Sequence, residues 1–465
     1  MKNYKLMHFN FKKFEDKYLI INDVGDYDFL EKKDFQLLLD KNLDKESLLN
    51  KFYFYEYKDL EPIIKKYRKS KWYLEKGTSL FVVVLTNRCN QNCIYCQASR
   101  KCWEDKKLDM NYNTAQRTVD LILQSPNKNI TIEFQWWEPL LNFEVLKFIV
   151  EKVRLVPWKL DKSIDINVVS NILLLEKWML DFLIKNDVKI CTSLDWDRYL
   201  HNKNRPVKNE DAYNKLMEKL KFINDEYKDM NIRNKVNAIQ TTTKMSLDQY
   251  KQIIDTYISL WLNSIYLRPL NPFWFAEKLS EIIGYSSADF LSFYEKALTY
   301  IIEINKWWKL FIEGTAQIYL SKIFQRYDMN HMEIRSPCWA VIWQVAINYD
   351  WNIYTCDEGR MMAETGCDLF KIGNVNDSLY KDLYQNDVTK IMCMSSCTEA
   401  FPRCYQCPYS CFCWICPIVN KSQEGDIFKN NANRCLINEG ILDILFKYVK
   451  SGDKEVLDIF KKRIW

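Results

Sequence analysis

Three cysteines close together carry the clearest chemistry in this sequence. Cys89, Cys93 and Cys96 are separated by three and then two residues, and they follow an apolar stretch at 80–86. Thiolates at this spacing suit three irons of one [4Fe–4S] cubane and leave the fourth iron without a protein ligand. An open iron can chelate the amino and carboxylate groups of a small cosubstrate. The alternatives are a zinc knuckle that lacks one ligand and three unrelated buried thiols.

A second group of cysteines lies towards the end of the chain. Its spacing includes Cys-x-x-Cys pairs, which occur both in iron–sulfur sites and in zinc ribbons. Only three histidines are present, so thiolates, which suit zinc and iron–sulfur clusters, must carry any metal chemistry. The cysteines with ligand-like spacing are Cys338, Cys356, Cys404, Cys407, Cys413, Cys416 and Cys435.

The composition restricts the class of protein. Lys and Arg total 66 against 61 Asp and Glu, and this net charge of +5 is spread along the chain, so we expect no nucleic-acid partner. The apolar runs are far shorter than the roughly 18–20 residues of a membrane span, and the first residues lack the apolar core of a signal peptide. We therefore expect a cytoplasmic protein without a membrane partner, where structural disulfides are rare.

The elements that position the first cysteines alternate between strands and helices. Apolar stretches predict strands at 80–86, 129–135, 163–169, 188–194, 235–240 and 263–268. Amphipathic stretches predict helices near 112–125, 141–155, 175–186, 211–227 and 246–259. This repetition favours parallel strands joined by right-handed crossovers. We therefore predict an α/β fold with a partial (β/α)6 barrel similar to a TIM barrel, and an active site at the carboxyl ends of its strands.

The sequence divides into four predicted parts. They are a small α+β module at 1–78, the barrel at 79–328, a cysteine-rich domain at 329–437 and a helical tail at 438–465. In the first module, 18–21 predicts a strand and 32–51 a helix. This module either binds a peptide or simply caps the barrel. The cysteine-rich part has too little apolar periodicity to fold on burial alone, so we expect bound metal to organise it.

The cysteine motif and the strand ends together resemble the radical SAM superfamily. In that family the three cysteines hold the cluster that binds S-adenosylmethionine (SAM), and further contacts come from the ends of successive strands. The resemblance implies that SAM is contacted by Tyr95, Trp136, Trp137, Glu138, Ser170, Asn171, Ser193 and Arg268. For Ser193 and Arg268 the alternatives are an ordinary surface polar residue and an ion pair.

Tryptophan occupies positions where the family carries glycine. Trp136 and Trp137 precede Glu-Pro in place of a Gly-Gly pair, and the same exchange is indicated at Trp196, Trp351 and Trp414. The chain has 10 glycines and 16 tryptophans, whereas glycine averages about 7% of residues in proteins. We hypothesise that these tryptophans are glycines encoded by UGA codons. The alternative is a degenerate, inactive relative with genuine tryptophans.

The late cysteines resemble the SPASM domain of peptide-modifying radical SAM enzymes, which carries two auxiliary [4Fe–4S] clusters. The ligands are then Cys338, Cys356 and Cys416 for the first cluster and Cys404, Cys407, Cys413 and Cys435 for the second. The eighth ligand is open among Cys393, Cys397 and Cys411. Two residues precede Cys416 where the family usually has three, and zinc is the alternative metal.

Longer phrases resemble one subgroup, the B-type radical SAM maturase of the His-Xaa-Ser system. They include Phe134–Phe143, Leu200–Pro206 and Tyr354–Met361. The resemblance implies a maturase that cleaves SAM reductively to a 5′-deoxyadenosyl radical and modifies a ribosomally made His-Xaa-Ser peptide. It also implies a paired second radical SAM protein and an electron donor such as flavodoxin or ferredoxin.

Two other functions remain open from the sequence. One is an enzyme of the anaerobic sulfatase-maturating type, which oxidises Cys or Ser on a protein and shares the barrel and SPASM architecture. The other is a non-catalytic metal-binding scaffold, which would bind zinc in place of iron. Acidic residues at the strand ends, such as Asp195, Asp357 and Glu358, are either bases or salt-bridged groups, and the sequence favours the latter.

Overall fold

The computed structural model describes residues 5–42, 48, 51–54, 60–97, 103–155, 160–232, 236–271, 273, 275–307, 310–326 and 334–462. The strands of the amino-terminal part are β1 (Lys5–Leu6), β2 (Phe9–Phe14), β3 (Lys17–Asn22), β4 (Tyr27–Leu30) and β5 (Tyr53–Phe54). β2, β3 and β4 form an antiparallel sheet, and β1 pairs with β5. β3 confirms the strand predicted at 18–21.

The helix predicted at 32–51 is interrupted within the described residues. Its first part begins at Lys32 and ends at Leu39, and Lys41 then has a left-handed φ of 57°. Leu48, Lys51 and Phe52 are again helical. The Asn42 N–H donates to the Leu37 carbonyl at 2.9 Å and closes the helix end. The predicted continuation over 43–47 and 49–50 lies outside the described residues. A second helix, Glu61–Ser70, leads towards the large sheet.

Parallel strands succeed one another in chain order across the large sheet. They are β6 (Leu80–Val83), β7 (Asn129–Phe134), β8 (Ser163–Val169), β9 (Val188–Ser193), β10 (Asn237–Thr241) and β12 (Leu267–Arg268). β11 (Ser264–Ile265) pairs instead with β13 (Ile312–Glu313) in a separate two-stranded sheet, so the strand predicted at 263–268 is split at Tyr266. All four residues of β6 are buried, as expected for a parallel sheet covered on both faces. The predicted α/β architecture is confirmed.

Helices join these strands close to the predicted positions. Their bounds are Tyr112–Leu123, Phe143–Arg154, Lys177–Lys185, Arg198–Asn204, Ala212–Asp229 and Tyr250–Ser259. After β12 come the short helices Phe275–Lys278 and Ser280–Ile283. The helical connection predicted at 285–328 consists of two helices, Ser287–Trp307 and Gly314–Gln325, with β13 between them.

The large sheet continues into the cysteine-rich part. β14 (Gln344–Ile347) pairs parallel with β6, and β15 (Asn352–Tyr354) and β16 (Lys371–Asn374) extend the sheet antiparallel to nine strands. The domain boundary predicted at residue 329 therefore lies between strands of one sheet, β6 and β14. The division into separate domains stays a prediction. The helices of this part are Asp357–Glu364, Tyr380–Gln385, Asp387–Met394, Pro402–Tyr405 and Pro417–Glu424.

The last long helix returns to the barrel. Helix Ala432–Ser451 is capped by Asn431, whose side chain accepts from the Arg434 N–H at 2.9 Å, and it packs against the helix Ser287–Trp307. Helix Lys454–Lys462 follows. The predicted tail at 438–465 therefore begins inside a longer helix. Among the described residues, none of the helices combines the length and apolar character needed to cross a membrane.

Candidate active site

A cavity of about 270 Å³ lies at the carboxyl ends of the parallel strands. Strand ends, the loop after β6 and the helix Ala432–Ser451 supply its walls. Of the barrel residues predicted to bind the cluster or SAM, all except Glu138 line it: Cys89, Cys93, Tyr95, Cys96, Trp136, Trp137, Ser170, Asn171, Ser193 and Arg268. The fold thus brings together side chains from five separate strand ends.

The three cysteines of the loop after β6 present soft sulfur ligands to this cavity. Among the residues that the structure describes, they are the only cysteines that line it. Burial raises the pKa of the Cys93 thiol to about 12 against the opposing charge of Arg205, and burial also raises the pKa of Cys89 well above its usual value. Such thiols ionise only when a cation compensates the charge, as iron does. Three sulfurs without a fourth cysteine fit a cubane with one open iron.

The position of Cys93 depends on the segment that follows β9. The Asn92 N–H donates to the Pro206 carbonyl at 2.8 Å, and the Ile94 N–H donates to the Asn204 carbonyl at 2.9 Å. The preceding helix, Arg198–Asn204, is capped by the carboxylate of Asp197. Two distant parts of the chain are therefore fixed to each other at the cysteine loop.

A buried charge pair lies beside Cys93. Arg205 Nε lies 3.3 Å from Asp195 Oδ1, and the guanidinium lies 5.1 Å from the centre of the Tyr95 ring. Asp195 Oδ2 accepts from the Tyr95 hydroxyl at 2.5 Å and from Asn204 Nδ2 at 3.0 Å. Arg205 lines the cavity, so a fixed positive charge faces any ligand bound near the cysteines. Asp195 holds Arg205 and Tyr95 in place.

Glu138 lies fully buried behind the cavity wall. Its Oε1 accepts from the Ser170 hydroxyl at 2.7 Å and its Oε2 accepts from the Asn171 N–H at 3.0 Å. Asn171 Nδ2 in turn donates to Asn90 Oδ1 at 2.7 Å, beside the cysteine loop. Glu138 therefore positions Ser170 and Asn171 on the cavity wall, and its predicted contact with SAM stays a prediction.

The buried carboxyl of Glu133 on β7 should make stability depend on pH. Burial raises its pKa to about 7 from an ordinary value of 4.5, although Asn167 donates to it. The folded protein therefore holds this proton more tightly than the unfolded chain. The resulting stabilisation is complete below the unfolded pKa and is lost as the pH rises to about 7. In the parental protein the free energy of unfolding should fall by about 3 kcal/mol as the pH rises through this range, and in the Glu133→Gln protein this fall should be absent.

Urea unfolding of the anaerobic, iron-loaded protein at several pH values between about 4 and about 8 measures this effect. The matched control is Glu151→Gln, an exposed glutamate on the helix Phe143–Arg154, which should leave the profile unchanged. A Glu133→Gln protein with the parental pH profile would contradict the assignment.

The opposite wall of the cavity comes from the helix Ala432–Ser451. Arg434 and Asn438 lie one turn apart on it and line the cavity. Arg434 Nη2 donates to Asn271 Oδ1 at 2.6 Å, and its guanidinium lies 5.3 Å from the Trp414 ring. Neither residue could be predicted from the sequence, because a polar residue on an amphipathic helix is usually solvated. Arg205 was not predicted either, since its only signal is its place in the phrase Leu200–Pro206.

The first predicted group of late cysteines is assembled in the structure. Cys338, Cys356 and Cys416 are all buried. Burial is the main reason that the pKa values of Cys338 and Cys356 are raised, and the neighbouring Cys416 adds to both shifts. The predicted ligand set therefore lies within one buried cluster of thiols.

The second predicted group is also assembled. Burial raises the pKa of Cys413 to about 12, and the nearby thiols of Cys407, Cys404 and Cys435 contribute to the shift. Cys411, one of three candidates for the eighth ligand, lies elsewhere, beside Arg326 and Lys322. The four predicted ligands of the second cluster are therefore neighbours, and the intervening cysteine faces away from them.

Two acids connect the first late group with the central cavity. Ligand atoms of Cys356, Asp357 and Glu358 lie within 4.8 Å of one another, and both acids line the cavity. Burial and the adjacent Asp357 raise the pKa of Glu358 well above its usual value. Glu358 therefore lies at the boundary between the cavity and the late cysteines.

Comparison with known proteins gives no matching family model. An uncharacterized protein of Methanocaldococcus jannaschii is 32% identical over 119 residues, which cover 26% of this chain and 39% of that protein. The cysteine-type anaerobic sulfatase-maturating enzyme of Clostridium novyi is 22% identical over 347 residues, which cover 73% of this chain and 87% of that enzyme. The radical SAM cyclopropyl synthase TigE of Paramaledivibacter caminithermalis is 25% identical over 156 residues, which cover 29% of this chain and 32% of that enzyme. The chain thus spans less than half of the first and third relatives.

Solved structures show which fold this is. The structure of anSMEcpe with bound AdoMet superimposes with a TM-score of 0.67 at 16% identity, covering 82% of this chain and 99% of that one. The fold is the radical SAM fold. Streptococcus suis SuiB bound to its precursor peptide SuiA gives a TM-score of 0.56 at 15% identity, covering 92% and 100%. Of the relatives reported above, the cyclopropyl synthase is named as a radical SAM enzyme. The match to these solved structures confirms the predicted fold class.

Proposed function

We propose that this chain is a radical SAM maturase that cleaves SAM reductively and modifies a ribosomally made peptide. The observation that supports this most strongly is the convergence of Cys89, Cys93 and Cys96 on one cavity at the strand ends. The relatives support the same chemistry, since they include a sulfatase-maturating enzyme and a cyclopropyl synthase. A structural neighbour bound to its precursor peptide supports a peptide as the substrate.

Cys89, Cys93 and Cys96 would hold the [4Fe–4S] cluster. When bound, the cluster supplies the electron that splits the sulfonium of SAM into methionine and a 5′-deoxyadenosyl radical, which removes hydrogen from the substrate. The chain's own residues orient the cosubstrate. Arg205 and Arg268 are cations on the cavity wall, and a guanidinium can grip the methionyl carboxylate through two parallel hydrogen bonds.

Other cavity residues suit the remaining parts of SAM. Ser170, Asn171 and Ser193 place hydroxyl and amide groups at neighbouring strand ends, where they bond ribose hydroxyls. Tyr95 offers its ring to the adenine, since its hydroxyl is committed to Asp195. Ile437 of the carboxy-terminal helix adds an apolar side chain to the cavity wall, and an apolar wall helps to keep water away from the reactive carbon.

The late cysteines would hold two auxiliary [4Fe–4S] clusters. We assign Cys338, Cys356 and Cys416 to the first, and Cys404, Cys407, Cys413 and Cys435 to the second. The first group adjoins Asp357 and Glu358 on the cavity wall. An auxiliary cluster there is placed to accept an electron from the substrate or to bind the substrate directly.

Cys393 is the best candidate for the eighth ligand. The Cys338 N–H donates to the Ser396 hydroxyl at 2.8 Å, which holds the segment after Cys393 against Cys338. The Cys393 thiol is close enough to Cys338 to contribute to its raised pKa, although burial and Cys416 contribute more. Cys397 faces Glu399 and Lys71 instead. Of the candidates left open by the sequence, only Cys393 adjoins the first group.

Replacing Cys393 with alanine should change the electron paramagnetic resonance of the first auxiliary cube and lower the iron content by up to about four of about twelve atoms per chain, because that cube keeps only three cysteine ligands. Cys397→Ala is the matched control, one helical turn away, and should retain all the iron. Iron assay and electron paramagnetic resonance of the reduced proteins measure the outcome. Full iron in the Cys393 variant together with loss in the Cys397 variant would reverse the assignment.

The finer choice of substrate rests on sequence phrases. We favour a His-Xaa-Ser-type peptide because the phrases Leu200–Pro206 and Tyr354–Met361 resemble that maturase. On the same ground we propose a paired second radical SAM protein, a flavodoxin or ferredoxin as the electron donor, and a cytoplasmic location. The competing function is oxidation of Cys or Ser on a sulfatase. It is supported by the similarity to the Clostridium novyi enzyme, which extends over 87% of that enzyme.

Incubation with two peptides separates these substrates. The anaerobic, reduced enzyme is given SAM with a His-Xaa-Ser-repeat peptide or with a sulfatase-derived peptide that contains the target cysteine. We expect a mass change only in the His-Xaa-Ser peptide. Modification of the sulfatase peptide alone would replace the favoured substrate, while release of 5′-deoxyadenosine without modification of either peptide would reject both.

A further inference from the structure

We propose that residues 136, 137, 261 and 351 are glycine in the protein as its own cell makes it, because that cell reads the codon UGA as glycine. The proposal does not depend on the function proposed above. It starts from the excess of tryptophan over glycine in the chain. The backbone supplies independent support, and it adds position 261, which no sequence motif had indicated.

The four tryptophans share a left-handed backbone. Their φ values are 72° at Trp136, 52° at Trp137, 62° at Trp261 and 66° at Trp351. In this region the Cβ atom approaches the following carbonyl oxygen, so bulky residues are outliers there, whereas glycine enters without strain. Among the described residues only ten other non-glycine residues, of all types together, have positive φ. Tryptophan is therefore strongly over-represented at glycine-like positions.

Trp261 occupies the glycine position of a helix end. The helix Tyr250–Ser259 is followed by Leu260, and Trp261 is the next residue. The Leu262 N–H donates to the Tyr257 carbonyl at 3.0 Å, and the Trp261 N–H donates to the Ile258 carbonyl at 3.0 Å. These two bonds define a Schellman motif, in which the residue at Trp261's position is usually glycine. Its side chain is 70% exposed, so apolar burial does not explain a tryptophan there.

Trp351 occupies the glycine position of a hairpin. The turn between β14 and β15 is closed by the Trp351 N–H, which donates to the Asn348 carbonyl at 3.2 Å. The Asn348 N–H donates to the Asn352 carbonyl at 2.9 Å. Such three-residue turns end in a left-handed residue, where glycine is preferred because it lacks Cβ. This indole is also largely exposed, at 45%.

Trp137 covers a buried charge at the cavity. The Arg360 guanidinium lies 4.3 Å from the centre of its ring and is fully buried. None of the three guanidinium nitrogens, nor Trp137 Nε1, has a hydrogen-bond partner among the described residues. A buried cation without hydrogen-bond partners is costly, even where the opposite charges of Glu364 and Asp357 lie nearby. With glycine at 137 the guanidinium faces the cavity, where water or an anionic ligand can reach it.

Two tryptophans of the sequence hypothesis lack this backbone support. Neither Trp196 nor Trp414 is among the described residues with positive φ. Their assignment rests on motif position alone, and the proposal is confined to the four positions above.

Peptide mass spectrometry of the protein from its native cells tests the proposal directly. We expect the residue mass of glycine at 136, 137, 261 and 351. Tryptophan mass at these positions would overturn it. The measurement is independent of catalysis, so this proposal and the proposed function can fail separately.

Thermal unfolding of recombinant variants gives a second test. Trp261→Gly should raise the unfolding midpoint by roughly 2 °C, because the left-handed position is relieved of strain. The matched control is Trp178→Gly, at an exposed tryptophan in the right-handed helix Lys177–Lys185, which should lower the midpoint since glycine weakens helices. A midpoint lowered equally by both substitutions would contradict the backbone argument.

Discussion

Replacing Cys93 with alanine should abolish release of 5′-deoxyadenosine from SAM by the anaerobically reconstituted, reduced protein. The iron content should fall from about twelve to about eight atoms per chain, because one cube of four irons loses a ligand while the auxiliary cysteines are untouched. The remaining thiols of Cys89 and Cys96 are too few to hold the cube with an open iron. Chromatography of the nucleoside product and an iron assay measure the two effects together.

The control for this experiment is Cys367→Ser. Cys367 is partly buried, follows the helix Asp357–Glu364 and belongs to neither predicted ligand group. We expect full iron and parental nucleoside release from it. A Cys93→Ala protein that still releases 5′-deoxyadenosine would show that the electron reaches SAM from another site.

Replacing Arg205 with methionine should have the second largest effect, on both stability and binding. Loss of the guanidinium leaves the fully buried Asp195 without its charge partner, which should lower the free energy of unfolding by about 3–5 kcal/mol. Loss of the charged hydrogen bonds to the methionyl carboxylate should weaken SAM binding about 10- to 100-fold. Denaturant unfolding and equilibrium SAM binding measure the two quantities.

A second substitution separates the two roles of Arg205. Adding Asp195→Asn to the Arg205→Met protein removes the unpaired charge and should restore most of the lost stability. SAM binding should remain weak, because the cation that faces the carboxylate is still missing. If SAM affinity recovers together with stability, Arg205 acts only by supporting the fold.

Much of the barrel could be predicted because its signals are local. Burial on both faces makes β6 apolar at every position, whereas β8 and β9 alternate between buried and less buried residues. Both patterns can be read within a few residues. The spacing of Cys89, Cys93 and Cys96 is also local, since these residues share one loop. Chain order then dictates sheet order, so residues at strand ends such as Ser193 and Arg268 could be expected to face one cavity.

Features that arise only from tertiary packing could not be predicted. The pairing of β14 with β6 joins segments far apart in the chain and places the predicted boundary at 329 within one sheet. Arg434 reaches the cavity because its helix packs against Ser287–Trp307. Asp195 and Arg205 are ten positions apart, and their pairing depends on how the intervening helix turns back.

The tryptophan positions show how sequence and structure combine. Motif similarity indicated glycine at 136, 137 and 351, and the backbone at all three is left-handed. Position 261 carries no motif, because the need for glycine there comes from two hydrogen bonds at a helix end. The backbone conformation thus indicates glycine at position 261, where no sequence motif does.

Release of 5′-deoxyadenosine and methionine from SAM is the measurement that tests the central claim most directly. It should be made on anaerobically purified, iron-loaded protein under reduction, with tryptophan and with glycine at 136 and 137. We expect equal amounts of the two products from the protein with glycine. Iron-loaded protein that never releases 5′-deoxyadenosine in either form would contradict the account.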